Sequence, residues 1–288
     1  MFNFKLVMAN FPFEILQTED GTPTLKHKLF DEAYHSTSAG AVRESLEKFF
    51  LPSGLSVIAK TQNELRILEV GFGLGYNCVV TLYELLKAFP HLRVEYTALE
   101  LEPAPIEQLN LKGTVYGDLY EILKREIPRS GFFEFKNARC SVIFGDARKT
   151  VRGLPKNHFD AVYHDAFSPK KNAELWSLEF LEEVLGRLKR GRFWITYSAA
   201  LPVRRALFEL GAEIFNTKPV GRKRPGTAAG FEVKPFTDWV YPLSEKELEK
   251  LKSSPYAVPF RDFSLSEKRE VIYLRWKEEV EKRLKGRA

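Results

Sequence analysis

Three glycines spaced two residues apart, within the segment Leu68–Asn77, constrain the fold of this chain more than any other feature. Before them, residues 66–70 alternate as an apolar strand, and after them residues 78–89 place Val, Leu and Phe side chains on one face of a helix. Strand, glycine turn and helix open a β–α–β unit. Because a Cβ atom in such a turn would occupy the space of a ligand at the strand end, the glycines predict a bound nucleotide-like cofactor.

The spacing of these glycines distinguishes two kinds of cofactor. A dinucleotide-binding loop has its third glycine three residues after the second, and that position is Tyr76 here. The pattern from Glu69 to Gly75 instead resembles the loop of class I S-adenosylmethionine-dependent methyltransferases, which cradles the methionine end of the cofactor. In that resemblance Glu100, which ends the next predicted strand, binds the ribose hydroxyls. We expect S-adenosylmethionine, with a dinucleotide or a purely structural turn as the alternatives.

Strand and helix patterns alternate along the middle of the chain, which is typical of a doubly wound parallel sheet. We therefore predict an α/β fold of the class I methyltransferase type, Rossmann-like, with a mostly parallel seven-stranded sheet. A β-hairpin and a helix form an N-terminal extension at 1–60, the methyltransferase domain follows at 61–242, and a helical extension ends the chain at 243–288. The remaining elements are strands predicted at 93–100, 141–145, 159–164, 192–198, 212–218 and either 230–233 or 239–241, and helices at 38–50, 103–127, 174–189, 202–210 and 264–285.

Composition excludes several classes of protein. With 288 residues, 44% of them apolar and 28% charged, the chain can bury one large core and an appendage. No apolar run approaches the roughly 18 to 20 residues of a membrane helix, so we expect a cytoplasmic protein with no membrane partner. Cys78 and Cys140 stand apart from each other and from any histidine ligand set, which predicts two core cysteines and no metal site.

The positive charge of the chain is unevenly distributed. The whole chain has a net charge of +6. The segment from Gly186 to Arg224 alone carries a larger positive charge, because it holds ten Lys or Arg residues and two Glu. A basic segment in an otherwise balanced protein indicates a polyanionic partner, because neutralising phosphates releases counterions. The alternative is a solvated face without a partner.

Acidic residues follow the predicted strands at the edge where a doubly wound sheet binds its ligands. Glu100 ends the second strand, Asp146 follows the third in Gly-Asp-Ala, and Asp165 follows the fourth. Asp146 is expected to receive the amino group of adenine, or else to form a turn. His164, Tyr163 and Trp176, which flank Asp165 in sequence, are expected to be structural.

The peptide from His164 to Trp176 is too specific for a generic loop. Together with Gly-Phe-Gly-Leu-Gly-Tyr-Asn at 71–77, Thr-Tyr-Ser-Ala-Ala at 196–200, Val-Arg-Arg-Ala-Leu at 203–207 and Gly-Arg-Lys-Arg at 221–224, it resembles the methyltransferase domain of MnmC-type tRNA-modifying enzymes. The likeness covers about residues 14–230. It implies that S-adenosylmethionine methylates the primary amine of 5-aminomethyl-2-thiouridine at the wobble position of tRNA.

The same resemblance implies roles for individual residues. Asp165 faces the acceptor amine, and its ordinary pKa, near ~3.9, suits orienting the amine better than removing its proton. For His35 and Ser36 a capped helix start explains the residues equally well. The resemblance places at the cofactor Glu69, Gly71, Gly73, Gly75, Asn77, Glu100, Asp146, His35 and Ser36. It places at the nucleoside and the RNA Phe167, Pro169, Lys170, Arg204, Arg205, Arg222, Lys223 and Arg224.

The chain departs from the longer members of that family because no second glycine fingerprint for an FAD-dependent oxidase follows Arg224. We therefore expect it to perform the final methylation only, on an aminomethyl substrate supplied by other enzymes. Two other functions stay open. An aminopropyltransferase resembling spermidine synthase would use the same fold, although a basic segment would repel its polyamine substrate. A non-catalytic RNA-binding protein could also have kept the fold.

Overall fold

A small antiparallel sheet precedes the main domain in the computed structural model, which describes residues 13–27, 30–221 and 223–286. Its strands are β1 (Phe13–Gln17), β2 (Pro23–His27) and β3 (Glu32–Ala33), in that order across the sheet. The turn at Asp20 is closed by hydrogen bonds from Thr18 and Thr22 to the aspartate side chain. The predicted hairpin is thereby confirmed, with a third strand added.

Nine strands of the described residues form the central sheet, in the order β12-β10-β11-β9-β8-β4-β5-β7-β6. Strands β7, β5, β4, β8 and β9 are parallel to one another, and β11 runs antiparallel between β9 and β10. This confirms the predicted mostly parallel sheet, although it has nine strands in the described part of the chain and not seven. Of the two positions predicted for the last strand, 239–241 corresponds to β12, whereas the antiparallel strands β6 and β11 were not predicted. The strands are β4 (Glu64–Val70), β5 (Arg93–Glu100), β6 (Phe132–Phe135), β7 (Ala138–Phe144), β8 (Phe159–His164), β9 (Leu188–Thr196), β10 (Glu213–Thr217), β11 (Gly226–Gly230) and β12 (Val240–Pro242).

Helices cover both faces of the sheet, and none in the described part of the chain is long and apolar enough to cross a membrane. A π-helical segment, Ser45–Phe50, joins the first two, and short 3₁₀ turns lie at Ile106–Gln108, Val151–Gly153 and Ala173–Trp176. The helices are α1 (Ala41–Glu44), α2 (Leu51–Ser53), α3 (Leu55–Ile58), α4 (Tyr76–Ala88), α5 (Gly117–Ser130), α6 (Ala147–Thr150), α7 (Leu178–Leu185), α8 (Leu201–Glu209), α9 (Glu245–Ser253) and α10 (Arg269–Lys285).

Strand β4 shows how its sequence divides the core into two layers. Leu65 and Ile67 pack in the cluster under α4 and α5, whereas Leu68 and Val70 pack in the cluster under α7 and α8. Successive side chains of a strand point to opposite faces, so Glu69 must face the α4 layer with Ile67. Cys78 and Cys140 lie fully buried in that layer as free thiols, as predicted.

Most predicted elements are confirmed within a few residues, and the exceptions have local causes. The segment predicted as helix 103–127 starts as an irregular stretch, and α5 begins only at Gly117. The segment 264–268 is a turn instead of helix, because Asp262 accepts hydrogen bonds from the backbone N–H groups of Ser266 and Glu267. The domain boundaries at 60 and 242 stay predictions.

The basic segment from Gly186 to Arg224 is largely neutralised by acidic side chains from other elements. Lys189 and Arg192 lie beside Asp160, which is fully buried, at 2.8 and 3.6 Å. Arg190 pairs with Glu232, and Arg187, itself buried, pairs with Glu183 at 3.1 Å. Most of the segment is therefore not the continuous basic surface that its composition indicated.

Arg204 was predicted to contact RNA, and that prediction is wrong. The side chain is buried at 5% exposure, and it links α8 to the neighbouring strands. Its guanidinium donates hydrogen bonds to Asn216 Oδ1 at 2.7 Å and to the Gly226 carbonyl at 3.0 Å, and it lies 3.4 Å from Glu247. These partners offset the unfavourable position of a cation near the start of a helix.

Replacing Arg204 by methionine should therefore destabilise the fold, by about 3 kcal/mol, since it leaves buried acceptors without a donor. Arg205→Met is the matched control, because Arg205 makes an i,i+4 pair with Glu209 at the surface of the same helix. A surface pair of that kind contributes less than about 1 kcal/mol. Urea unfolding measures both, and equal losses would contradict the role given to Arg204.

Candidate functional site

A cleft of about 1630 Å³, the main cleft, opens at the carboxyl ends of the parallel strands. One wall consists of residues that end β4, β5, β7 and β8, and the opposite wall comes from the N-terminal extension, including His27, Tyr34 and His35. Pockets for single drug-sized ligands hold roughly 300 to 1000 Å³. The main cleft is therefore large enough for a cofactor and a second reactant together.

The glycine turn brings its backbone against this cleft. Gly71 and Gly73 line it with φ angles of +86° and +53°, a region that favours glycine. A Cβ on Gly71 would lie 2.8 Å from the Asp165 carbonyl oxygen, and one on Gly73 would lie 2.9 Å from the Tyr34 ring. Such a cradle fits the methionine end of S-adenosylmethionine, as predicted for these two residues.

Gly75 has a packing role that was not predicted from the sequence. It does not line the main cleft, and a Cβ there would lie 2.7 Å from the side chain of Leu123. Its φ of +78° starts helix α4 and lets α5 approach it closely. The predicted contact of Gly75 with the cofactor stays a prediction.

Glu100 ties the glycine turn to the end of β5. Its carboxylate accepts hydrogen bonds from the backbone N–H groups of Gly73, at 2.8 Å, and of Leu101, at 2.7 Å. Burial raises the pKa of this carboxyl above its ordinary value, although the hydrogen bond from Gly73 opposes the shift. Glu100 lines the main cleft, where its remaining lone pairs can accept hydroxyl groups.

Asp146 stands at the next strand end and caps helix α6. Its carboxylate accepts from the backbone N–H of Arg148 at 3.0 Å and from the guanidinium of Arg148 at 2.8 Å. Burial by itself raises the pKa of Asp146, but the hydrogen bonds and charge of Arg148 outweigh it and lower the pKa. Arg148 in turn donates to the buried Asp262 at 2.8 Å, so the C-terminal extension is connected to this corner of the cleft.

Asp165 lines the main cleft and is held there by a shared amide. The Nδ2 atom of Asn77 donates to Asp165 Oδ2 and to Glu69 Oε1, both at 2.8 Å, and Tyr96 donates its hydroxyl to Glu69 Oε2 at 2.9 Å. Glu69 and Asn77 are buried behind Asp165 and do not line the cleft. Their polar atoms position Asp165, and their predicted contact with the cofactor stays a prediction.

The electrostatic surroundings of Asp165 also differ from the expectation of an ordinary pKa. Burial raises the pKa of Asp165 well above its usual range, and the charges of Glu44 and Glu69 add to that shift. Burial likewise raises the pKa of Glu69 to about 8. A raised pKa means that the ionised form of Asp165 binds a proton more strongly than an ordinary aspartate does.

Two residues near Asp165 were missed by sequence reasoning. Glu44 and Lys48 form a buried ion pair across the π-helical segment, and both line the main cleft. Burial alone raises the pKa of Glu44, but the charge of Lys48 outweighs it and lowers the pKa. An i,i+4 Glu–Lys pair is so common on exposed helices that its sequence carries no signal of a buried site.

His35 and Ser36 both line the main cleft, as predicted. The His35 ring stacks on Tyr76 at 5.0 Å between centroids, and burial lowers the pKa of His35 to about 4. Ser36 donates its backbone N–H to Glu44 at 2.7 Å. The alternative of a capped helix start is wrong, because α1 begins at Ala41 after Gly40 without a side-chain cap.

An aromatic cluster forms the outer part of the cleft. Phe167 stacks on Phe30 at 4.4 Å between ring centroids and contacts Tyr34 at 5.1 Å and His27 at 5.6 Å. Phe167 was predicted at this site from the sequence, whereas His27, Phe30 and Tyr34 were not. They come from the N-terminal extension, and no local pattern connects them to the loop after β8.

The other predicted substrate residues are placed differently from one another. Pro169 is buried outside the cleft lining, where it shapes the loop, while Lys170 is exposed beside the cleft. Lys223 and Arg224 are exposed, and Arg222 lies outside the described residues. Their loop adjoins the cleft wall, because Ser38 Oγ donates to the Gly221 carbonyl at 3.4 Å.

His164 is fully buried against Trp176 and Trp194, which confirms it as a core residue. Among the described residues, no group of three or more His, Cys, Asp or Glu side chains could hold a metal ion.

Comparisons with known proteins agree with this geometry. Residues 117–232 match the sequence family described as S-adenosyl-L-methionine-dependent methyltransferase. The crystal structure of MnmC2 from Aquifex aeolicus is 41% identical, superposes with a TM-score of 0.86, and is matched over 95% of this chain and 86% of that one. A protein of Methanocaldococcus jannaschii is 32% identical over 88% of this chain and 68% of its own length. These matches confirm S-adenosylmethionine as the cofactor.

Two further matches set limits on the inference. The tRNA 5-methylaminomethyl-2-thiouridine biosynthesis bifunctional protein MnmC of Acidovorax is 28% identical over 74% of this chain, which spans only 34% of that protein. A probable spermidine synthase from Corynebacterium glutamicum has a TM-score of 0.51 at 16% identity, so it shares the fold alone.

The glycine turn yields a direct test. Gly71→Ala and Gly113→Ala both place alanine at a φ of +86°, but a Cβ on Gly113 would meet nothing within 4 Å. Each variant should lose about 1 to 2 kcal/mol of stability from the backbone strain. Only Gly71→Ala should also weaken S-adenosylmethionine binding, at least about tenfold in calorimetry, because its Cβ displaces the Asp165 backbone. Equal affinities of the two variants would remove Gly71 from the cofactor site.

Proposed function

Because this chain belongs to the MnmC2-type family of S-adenosylmethionine-dependent methyltransferases, we propose that it methylates the primary amine of 5-aminomethyl-2-thiouridine at the wobble position of tRNA. The product is the 5-methylaminomethyl nucleoside. One observation carries the proposal to this chain: a half-buried carboxyl, Asp165, lines the cleft directly beside the glycine turn.

The reaction needs an amine without its extra proton. An alkyl ammonium of pKa near ~10 is only about one part in a thousand neutral at pH 7, and only the neutral form has a lone pair to attack carbon. Asp165 accepts the proton from the ammonium and keeps a hydrogen bond to the amine, which aims the lone pair. S-adenosylmethionine supplies a methyl group on a positively charged sulfur, so a C–N bond forms while the S–CH₃ bond breaks and its electrons return to sulfur. Alignment of the reactants can supply on the order of 7 kcal/mol of the rate acceleration.

The surroundings of Asp165 suit this role. Asn77 fixes one carboxylate oxygen through its amide, which leaves the other oxygen for the substrate. The pKa of Asp165, raised by burial and by Glu44 and Glu69, moves toward that of the group whose proton it takes. When the ammonium arrives, its charge offsets the repulsion among the carboxylates. Proton transfer to Asp165 is therefore easier than to an exposed aspartate.

We assign the cofactor contacts to residues of the cleft wall. Gly71 and Gly73 give the methionine end its close approach, and Glu100 accepts hydrogen bonds from the ribose hydroxyls. Asp146, whose two carboxylate oxygens both accept hydrogen bonds from Arg148, is assigned to the amino group of adenine. His35 and Ser36 lie on the opposite wall and close the cofactor in.

The nucleoside occupies the outer part of the main cleft. A wobble base extruded from the anticodon loop can stack on Phe167, supported by Phe30 and Tyr34, since aromatic platforms bind extruded bases. Lys170, Arg205, Lys223 and Arg224 are assigned to the RNA backbone around it. For Arg222, which lies outside the described residues, the contact with RNA stays a prediction from the sequence.

The structure contradicts the argument that the basic segment would repel a polyamine substrate. The basic segment is mostly paired, and the main cleft itself carries more acidic than basic side chains, which suits any cationic amine. The family match separates the alternatives instead, because the spermidine synthase likeness reaches only 16% identity. Acceptor specificity must therefore be measured directly.

The purified protein should transfer labelled methyl from S-adenosylmethionine to tRNA carrying the aminomethyl wobble uridine, and mass analysis should find the 5-methylaminomethyl nucleoside. The unmodified transcript is the control, since it lacks the amine. Putrescine with decarboxylated S-adenosylmethionine tests the aminopropyltransferase alternative. Methylation of the bare transcript, or turnover of putrescine alone, would overturn the proposed reaction.

Asp165→Asn keeps the shape and the hydrogen bond from Asn77 but cannot accept a proton. Its turnover at pH 7 should fall by about 100-fold or more, the usual effect of losing a general base. Because the acceptor amine loses its proton unaided as the pH approaches ~10, the deficit should shrink toward alkaline pH. Initial rates from pH 6.5 to 9.5 measure this, with S-adenosylmethionine affinity as the control for folding. A constant deficit at all pH values would show that Asp165 does not take the proton.

A further inference from the structure

A second, smaller cleft of about 450 Å³ lies beside the main one. We name it the side cleft, and it runs between the loop after β8 and the first turns of helix α10. Its walls are formed by Phe30, Lys170, Lys171, Arg269, Glu270 and Tyr273. Three of these six side chains are cationic and two are aromatic. The C-terminal extension thus contributes half of the lining, and nothing in the methyltransferase reaction has so far required it.

The side cleft is continuous with the main cleft, because Phe30 and Arg269 line both. The Phe30 ring separates the two clefts. Phe167 stacks on this ring at 4.4 Å between centroids, and the Arg269 guanidinium lies 4.4 Å from the ring centroid. Arg269 also lies 3.2 Å from Glu174 and donates to the Lys171 carbonyl at 3.4 Å. A ligand that extends out of the main cleft past Phe167 therefore meets Arg269 next.

The wall formed by α10 is held firmly against the domain. Asp262 accepts hydrogen bonds from Arg148 at 2.8 Å and from the N–H groups of Ser266 and Glu267 at 3.1 Å each, which fixes the turn before the helix. Arg275, which lies on helix α10, donates at 2.9 Å to the carboxylate of Glu267, which lies just before that helix. The position of Arg269 is therefore built into the fold, and it does not depend on a ligand.

Charge and aromatic surface identify the class of ligand. Lys170 and Lys171 are exposed, and the lining holds one acid, Glu270. Because Arg269 is already paired with Glu174, the net excess of positive charge is one. Cations beside aromatic rings are the combination by which proteins bind single-stranded nucleic acid, the cations on the phosphates and the rings on the bases. The main cleft next to it is acidic, so an anion is excluded there and attracted here.

We propose that the side cleft binds the nucleotide adjoining the wobble nucleoside, with its phosphate on Arg269 and Lys171 and its base against Tyr273. This inference rests on the proposed function, since it requires an RNA whose target nucleoside enters the main cleft. It makes the C-terminal helix a wall of the RNA site. An isolated modified nucleoside does not reach this wall, so the side cleft distinguishes RNA from the free nucleoside.

Two charge-removing variants test the proposal on an anticodon stem-loop carrying the aminomethyl wobble uridine. Arg269→Gln should raise KM about fivefold or more while kcat changes less than threefold. It should also reduce the salt slope of stem-loop binding by about 1, the contribution of one phosphate contact. Lys171→Gln should do the same to the salt slope. This second variant is needed because Arg269 also touches Phe30 and Glu174, whereas Lys171 is an exposed side chain.

Lys282→Gln is the matched control, since it removes a charge from the exposed far end of the same helix and should change neither KM nor salt slope. Unchanged KM and salt slope in both side-cleft variants would overturn the proposal. A fall in kcat alone for Arg269→Gln, with Lys171→Gln unchanged, would also overturn it, because that pattern shows a support for Phe30. Failure of the proposed function is distinguishable, since the unaltered protein would then methylate no stem-loop.

Discussion

The site depends on one buried amide that is shared between two carboxyl groups. Asn77, at the start of α4, donates to Glu69 in β4 and to Asp165 after β8, so three separate elements meet at one side chain. Two carboxyls buried this close would repel each other if both were ionised, and burial alone opposes their charge. Burial raises the pKa of both carboxyls, and the charge of Glu69 adds to the rise at Asp165. The approach is possible because Gly71 has no side chain to keep the loop after β8 away from β4.

The fold was predictable where periodicity is strong. Apolar strands such as β4, β5 and β8 and the helix α4 have patterns that only one type of secondary structure satisfies. Strand β11, Gly-Thr-Ala-Ala-Gly, has no such pattern, and its small residues are required by neighbours: a Cβ on Gly226 would lie 2.5 Å from the Thr196 carbonyl oxygen. Sequence reasoning could not find it, because its signal lies in the strand beside it.

The site was predictable to the level of strand ends and no further. Gly71, Gly73, Glu100, Asp146 and Asp165 were expected at the cleft and line it. A side chain at the right place in sequence can still face either way, and Glu69 points into the α4 layer because it alternates with Leu68 and Val70. The distribution of surface charge was predicted least well, because Arg204 and Lys189 pair with Glu247 and Asp160, which lie far away in the sequence. Counting charges along a segment cannot reveal such pairing.

Arg148 connects the C-terminal extension to the corner of the main cleft that Asp146 lines. One guanidinium serves Asp146 on the cleft side and the buried Asp262 on the other, so neither carboxylate can lose it without the other being affected. Docking of the C-terminal extension and preorganisation of the cofactor pocket are thereby thermodynamically linked. Any event that loosens residues 262–267 therefore also loosens Arg148, and with it the hydrogen bonds that order Asp146 in the main cleft. The C-terminal extension thus stabilises one side of the cleft, while the chemistry takes place at the opposite side.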